Sequence, residues 1–64
     1  MPHIQITLLE GRTPEQKRRI AKRITDTIVE EAGTAPEGVS IAFVEVSKAD
    51  FARAGVLILD KQQK

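Results

Sequence analysis

Apolar and polar side chains alternate from the third residue onward. Ile4, Ile6 and Leu8 fall on one side of an extended chain, and His3, Gln5, Thr7 and Leu9 on the other. This period of two predicts a β-strand over His3–Leu9, and its β-branched residues favour the same conformation. Leu9, on the otherwise polar side, predicts that this face is covered too, by another copy of the chain. Glu10 and Gly11 break the strand. Thr13, Pro14 and Gln16 then spell a capping box with proline at the first helical position. The helix should run from Pro14 to Ala32 and end on Gly33 as a left-handed cap. Ile20, Ala21, Ile24, Ile28 and Ala32 recur within it at spacings of three and four, and Val29 widens the stripe. Lys17, Arg18, Lys22, Arg23, Asp26, Glu30 and Glu31 fall mostly outside it.

Residues 33–38 have the composition of a turn. Val39 to Val46 reads as a second strand, apolar enough to be buried on both faces. Strand, helix and strand make a βαβ unit whose strands pair in parallel. Ser47–Asp50 is expected as a turn and Phe51–Gly55 as a connector. Val56–Leu59 is a brief apolar segment able to add a small strand or hairpin to a neighbouring copy. The tail, Asp60–Lys64, is polar and expected to fray. The fold class is therefore α/β: one β-α-β unit plus a short C-terminal strand or hairpin, assembled as an oligomer.

Sixty-four residues predict a single domain over 1–64. A chain of this size buries only roughly 60% of the surface its unfolded form exposes. It has no cysteine, which excludes disulfides and thiolate metal sites, and its lone histidine, His3, cannot hold zinc without converging carboxylates. Neither metal nor cofactor is expected. Self-association remains as the source of further burial. The net charge is +1, with the basic residues concentrated at Arg12, Lys17, Arg18, Arg19, Lys22 and Arg23. These occupy solvent positions of an amphipathic helix without base-stacking aromatics, so no nucleic-acid partner is expected. No apolar run approaches the ~20 residues that span a membrane, and no charged-then-apolar leader is visible. The expectation is a cytoplasmic protein without a membrane partner.

The chemistry starts at Pro2. Removal of Met1 leaves a secondary amine at the chain start, and an N-terminal amine titrates near ~7.7–8.0 when unperturbed. Modest desolvation or a nearby cation brings such a group to neutral pH, where a general base works best. Proton transfer beside a carbonyl also needs a cation for the anionic substrate, and Arg12 is the first candidate. It follows the strand by three residues and so lies about a strand's length from Pro2. A site using both must be shared between subunits. The competing reading for Arg12 is a surface ion pair with Glu15. His3 alternates away and reads as a surface or subunit-contact residue.

Pro2, the alternating strand and then Leu8-Leu9-Glu10-Gly11-Arg12-Thr13-Pro14-Glu15-Gln16-Lys17 resemble the 4-oxalocrotonate tautomerase family over nearly the whole chain. The resemblance implies hexamers assembled as trimers of dimers, with the proline of one subunit served by an arginine of its neighbour. It implies that Phe51 walls the pocket and keeps its dielectric low, and Leu9 at the strand end forms part of an apolar wall. The expected substrate is a small 2-oxo or enol carboxylate such as 2-hydroxymuconate, isomerised without cofactor in aromatic degradation.

Two positions depart from that pattern. Where well-characterised tautomerases carry a second arginine early in the second strand, this chain has Ser40. Losing one of two cationic clamps costs ~3 kcal/mol of transition-state stabilisation by analogy with single oxyanion donors. Arg53, two residues after Phe51, is the candidate for compensation, against the simpler reading of a solvated turn residue. Arg53 also stands where the hydratase branch of the superfamily needs a carboxylate, so hydration is disfavoured. The alternative to an efficient enzyme is a weak or specialised tautomerase-fold binding or assembly protein, which Ser40 would favour.

Overall fold

The computed structural model describes residues 1–61. Its elements are β1 (His3–Leu9), α1 (Pro14–Ala32), β2 (Ser40–Val46), β3 (Ala52–Arg53) and β4 (Val56–Leu57). β1 and β2 pair in parallel, in register from His3 opposite Ser40 to Leu9 opposite Val46. α1 is the connection between them. The β-α-β unit and the short C-terminal hairpin expected from the sequence are both present.

Local chemistry sets the helix ends. The Thr13 hydroxyl accepts from the Gln16 N–H at 3.1 Å, and Gln16 Oε1 accepts from the Thr13 N–H at 2.9 Å. Two otherwise orphaned donors are thereby satisfied. Gly33 ends the helix at φ 70°, with its N–H donating to the Val29 carbonyl. The helix covers the sheet face that carries Ile4, Ile6 and Leu8 of β1 with Ile41 and Phe43 of β2. Lys17 marks that face by forming an ion pair with Glu45, which stands opposite Leu8 in the ladder. Sequence periodicity had put Lys17 outside the apolar stripe, but a lysine stem lies along apolar surface while its ammonium reaches a partner.

Several expectations need correction. β2 begins at Ser40 rather than Val39, because the Val39 N–H closes a 3₁₀ turn onto the Pro36 carbonyl at 3.1 Å. The turn at Ser47–Asp50 is also a 3₁₀ turn, over Lys48–Asp50, tied by Ser47 Oγ donating to Asp50 Oδ2. Ala32 is exposed rather than part of the covered stripe. Nineteen helical residues rise ~28 Å while seven strand residues span ~23 Å, so the helix outruns the sheet. Of the tail, Asp60 closes a last 3₁₀ turn over Ile58–Asp60. The rest of that expectation, at 62–64, lies outside the described residues.

The second strand is not buried on both faces within one chain. The face away from α1 carries Gln5, Thr7, Leu9, Ala42, Val44 and Val46, and Val44 is 39% exposed. Among the described residues none is fully buried. The chain exposes 5026 Å², against about 4,100 Å² for a compact monomer of its mass. Its radius of gyration is 15.1 Å, where a compact domain of this length has about 11 Å. A single copy is therefore an open shape with a bare sheet face and an outlying hairpin.

Candidate active site

At the C-terminal end of the parallel ladder the chain folds around a cavity of about 230 Å³. Its floor comes from the last residues of the strands, Thr7, Leu8 and Leu9 of β1 and Val46 of β2. Leu9 and Val46 are partners in the final rung, so one apolar step is built from both strands. The Glu10 N–H then donates to the Val46 carbonyl at 2.9 Å and seals the ladder. Gly11 redirects the backbone at φ 119°, a region closed to side-chain-bearing residues. That reversal delivers Arg12 to the cavity rim, immediately before the capping box fixes Thr13.

The opposite wall comes from the hairpin. Phe51 follows the 3₁₀ turn at Lys48–Asp50, and its carbonyl accepts from the Ile58 N–H at 2.8 Å. Beyond it, β3 and β4 pair antiparallel with Arg53 opposite Val56. The two-residue turn between them has positive φ at both positions, 55° at Ala54 and 79° at Gly55. This is the geometry that matches the twist of short hairpins. Phe51 and Arg53 are thus presented two residues apart, and both line the same cavity as Arg12.

Of the residues singled out in the sequence, Leu9, Arg12, Phe51 and Arg53 come together here. Pro2 and Ser40 do not. They stand at the other end of the sheet, where the Ser40 N–H donates to the Pro2 carbonyl at 3.1 Å. The length of β1 separates the two groups, ~20 Å between His3 and Leu9. Beside Pro2, His3 Nδ1 and Ser40 Oγ lie 2.6 Å apart in a hydrogen bond. His3, read from the sequence as a surface residue, is exposed.

The charges around the cavity are not neutralised. Glu15, the competing partner for Arg12, instead binds Arg18 at 3.0 Å and Arg19 at 3.4 Å. Among the described residues neither Arg12 nor Arg53 has an ion-pair or hydrogen-bond partner. Arg12 also borders a second groove, along α1, with Gln16, Arg19, Ile20 and Arg23. Two free guanidinium groups over an apolar floor with an aromatic wall suit a small planar anion. No group of three or more potential metal ligands occurs among the described residues, and none of their helices is long and apolar enough to cross a membrane.

Sequence reading missed Thr7, Leu8 and Val46 as lining residues. The signal for Thr7 was present, since it shares a face with Leu9 in the period-two pattern. Val46 required the register of the ladder.

Known proteins resemble the chain over nearly its whole length. The family model described as "Tautomerase enzyme" matches residues 2–61. A probable tautomerase of Bacillus cereus is 36% identical over 61 residues, covering 95% of this chain and all of the relative. A 2-hydroxymuconate tautomerase of Bacillus subtilis is 34% identical over 62 residues, covering 97% of this chain and again all of the relative. Among solved structures, a 4-oxalocrotonate tautomerase homologue superposes with a TM-score of 0.91 at 38% identity, covering 98% of this chain and all of that one.

Proposed function

The chain belongs to the tautomerase family, and from that membership we propose that it is a cofactor-independent keto–enol tautomerase of small 2-oxo or enol acids such as 2-hydroxymuconate. The base is the amine of Pro2, freed by removal of Met1. Its lone pair takes a proton from an enol oxygen or an acidic carbon of the substrate, and the resulting ammonium returns it to the other position. The proton count is unchanged and no electron leaves the substrate. Arg12 of a neighbouring copy holds the carboxylate and stabilises the enolate as charge develops. Leu9 and Phe51 exclude water, and Ser40 brings a neutral hydroxyl where an arginine would bring charge.

One observation carries this reading. Arg12, Leu9 and Phe51 line one cavity, while Pro2 stands ~20 Å away at the far end of the same strand. A base and a clamp so separated work together only across a subunit boundary. The open sheet face supplies the surface for such an assembly, which we propose is a homohexamer built as a trimer of dimers. Around the amine, a neighbour's guanidinium favours the neutral form that acts as base.

The test is ketonisation of 2-hydroxymuconate and phenylenolpyruvate, followed by ultraviolet absorbance, with the intact mass establishing that Met1 is gone. Turnover well above buffer that collapses in Pro2→Ala is expected. Turnover no faster than buffer on both substrates would overturn the tautomerase reading. The His3–Ser40 hydrogen bond favours a second reading, because it occupies the hydroxyl that replaces a cationic clamp. A specialised binding protein on this scaffold would bind 2-oxo acids without turning them over.

A further inference from the structure

The chain is electrically lopsided along its strands. At the C-terminal end of the ladder, Arg12 and Arg53 line one cavity, neither paired with an acid among the described residues. At the N-terminal end the sequence around the strand starts is Pro2-His3-Ile4-Gln5 and Val39-Ser40-Ile41-Ala42, with neither arginine nor lysine. The last turn of α1 and the 3₁₀ turn after it lead into the start of β2. They bring Glu30, Glu31 and Glu37 to that end, all exposed and without an ion-pair partner among the described residues. The Ser40 N–H donates to the Pro2 carbonyl at 3.1 Å, so the two residues stand at the same end of the sheet. The Ser40 hydroxyl is already engaged with His3 at 2.6 Å.

We propose that Arg53 is a specificity-determining residue that acts with Arg12 on the same end of the substrate. Resting on the tautomerase reading above, this narrows the substrate class to 2-oxo or enol acids whose anionic groups are gathered at one end, with an uncharged far end, so that 2-hydroxymuconate, with a carboxylate at each end, is turned over less well than phenylenolpyruvate. The two guanidinium groups take the carboxylate and the adjacent oxo or enolate oxygen together. Like charges over one cavity repel one another until an anion sits between them, so the pair selects a head with two oxygens bearing negative charge. The far end, beyond the amine, meets a neutral serine where an arginine would bring charge. A second carboxylate there would be desolvated with neither arginine nor lysine from the strand starts to receive it. Arg53 thereby relocates the cation missing at Ser40 from one end of the substrate to the other.

The test compares phenylpyruvate, a monoacid, with 2-oxoadipate, which has a second carboxylate at its far end. Calorimetric binding to the intact protein should be at least tenfold tighter for phenylpyruvate. Arg53→Gln should weaken binding of both by tenfold or more, while Arg53→Lys recovers part of the loss. Ser40→Arg should shift the ratio tenfold or more toward 2-oxoadipate. In turnover of phenylenolpyruvate, Arg53→Gln should act chiefly through KM. Native protein that binds 2-oxoadipate more tightly, or Arg53→Gln that binds both acids as the native protein does, would overturn the inference. Absence of turnover on every substrate would sink the tautomerase reading alone, because the binding comparison still decides the role of Arg53.

Discussion

Lys17 on α1 and Glu45 on β2 form the one ion pair that ties helix to sheet among the described residues. The others join residues three or four apart within α1. Both partners are screened only in part, with side chains 27% and 36% exposed. Glu45 lies on the face that otherwise carries Phe43 and Ile41, so without Lys17 its carboxylate would stand on an apolar surface. Lys17→Met should destabilise by about 1 kcal/mol, the upper range for partly exposed pairs. A double-mutant cycle with Glu45→Gln measures the coupling by denaturant unfolding. A coupling of zero would show that the pair is solvated in the assembled protein.

Gly11 controls where Arg12 goes. Its φ of 119° is essentially glycine-only, although the space around an added Cβ is open. Gly11→Ala should therefore cost about 1–3 kcal/mol from backbone strain alone. Relief of that strain moves Arg12, so kcat/KM should fall more steeply than stability. Thermal unfolding and steady-state kinetics on the same sample separate the two effects.

Ala54 is the one non-glycine described residue with positive φ, at 55°. A left-handed alanine costs roughly 1–2 kcal/mol, which asparagine or glycine avoids in a turn of this kind. Ala54→Asn should raise the thermal midpoint, read by circular dichroism, while leaving the cavity lining intact. A lower midpoint would mean that another copy touches the Ala54 methyl group.

Val44 sits near the middle of the uncovered sheet face and is 39% exposed in one copy. If that face is an interface, Val44→Lys places a charge in its centre and should drive dissociation at micromolar concentration. Sedimentation velocity reads this directly. Activity should fall in parallel, because a dissociated copy holds only half of the proposed site. An unchanged sedimentation coefficient would put the interface elsewhere.

How much of this was legible in the sequence follows from the range of each interaction. The limits of β1 and α1 were readable to the residue, because alternation, the Thr13–Gln16 capping box and Gly33 act within a few positions. The start of β2 was missed by one residue, since only the structure shows the Val39 N–H diverted to Pro36. The strands β3 and β4 have two residues each, too short for any periodicity. Lys17–Glu45 and the His3–Ser40 contact join residues far apart in the chain, and periodicity carries no information about them. The separation of Pro2 from Arg12 was legible from strand length. Arg53 was a candidate from the sequence, but its place on the cavity beside Arg12 depends on the direction the hairpin takes.

The central claim is that base and clamp come from different copies, and subunit mixing tests it most directly. Pro2→Ala and Arg12→Ala proteins, each inactive alone, are unfolded together in equal amounts, refolded and assayed for ketonisation. Random assembly should restore about a quarter of the wild-type rate, because that share of composite sites pairs a native Pro2 with a native Arg12. Activity that stays at the level of the separate variants, in assemblies shown by mass to be mixed, would contradict a shared site.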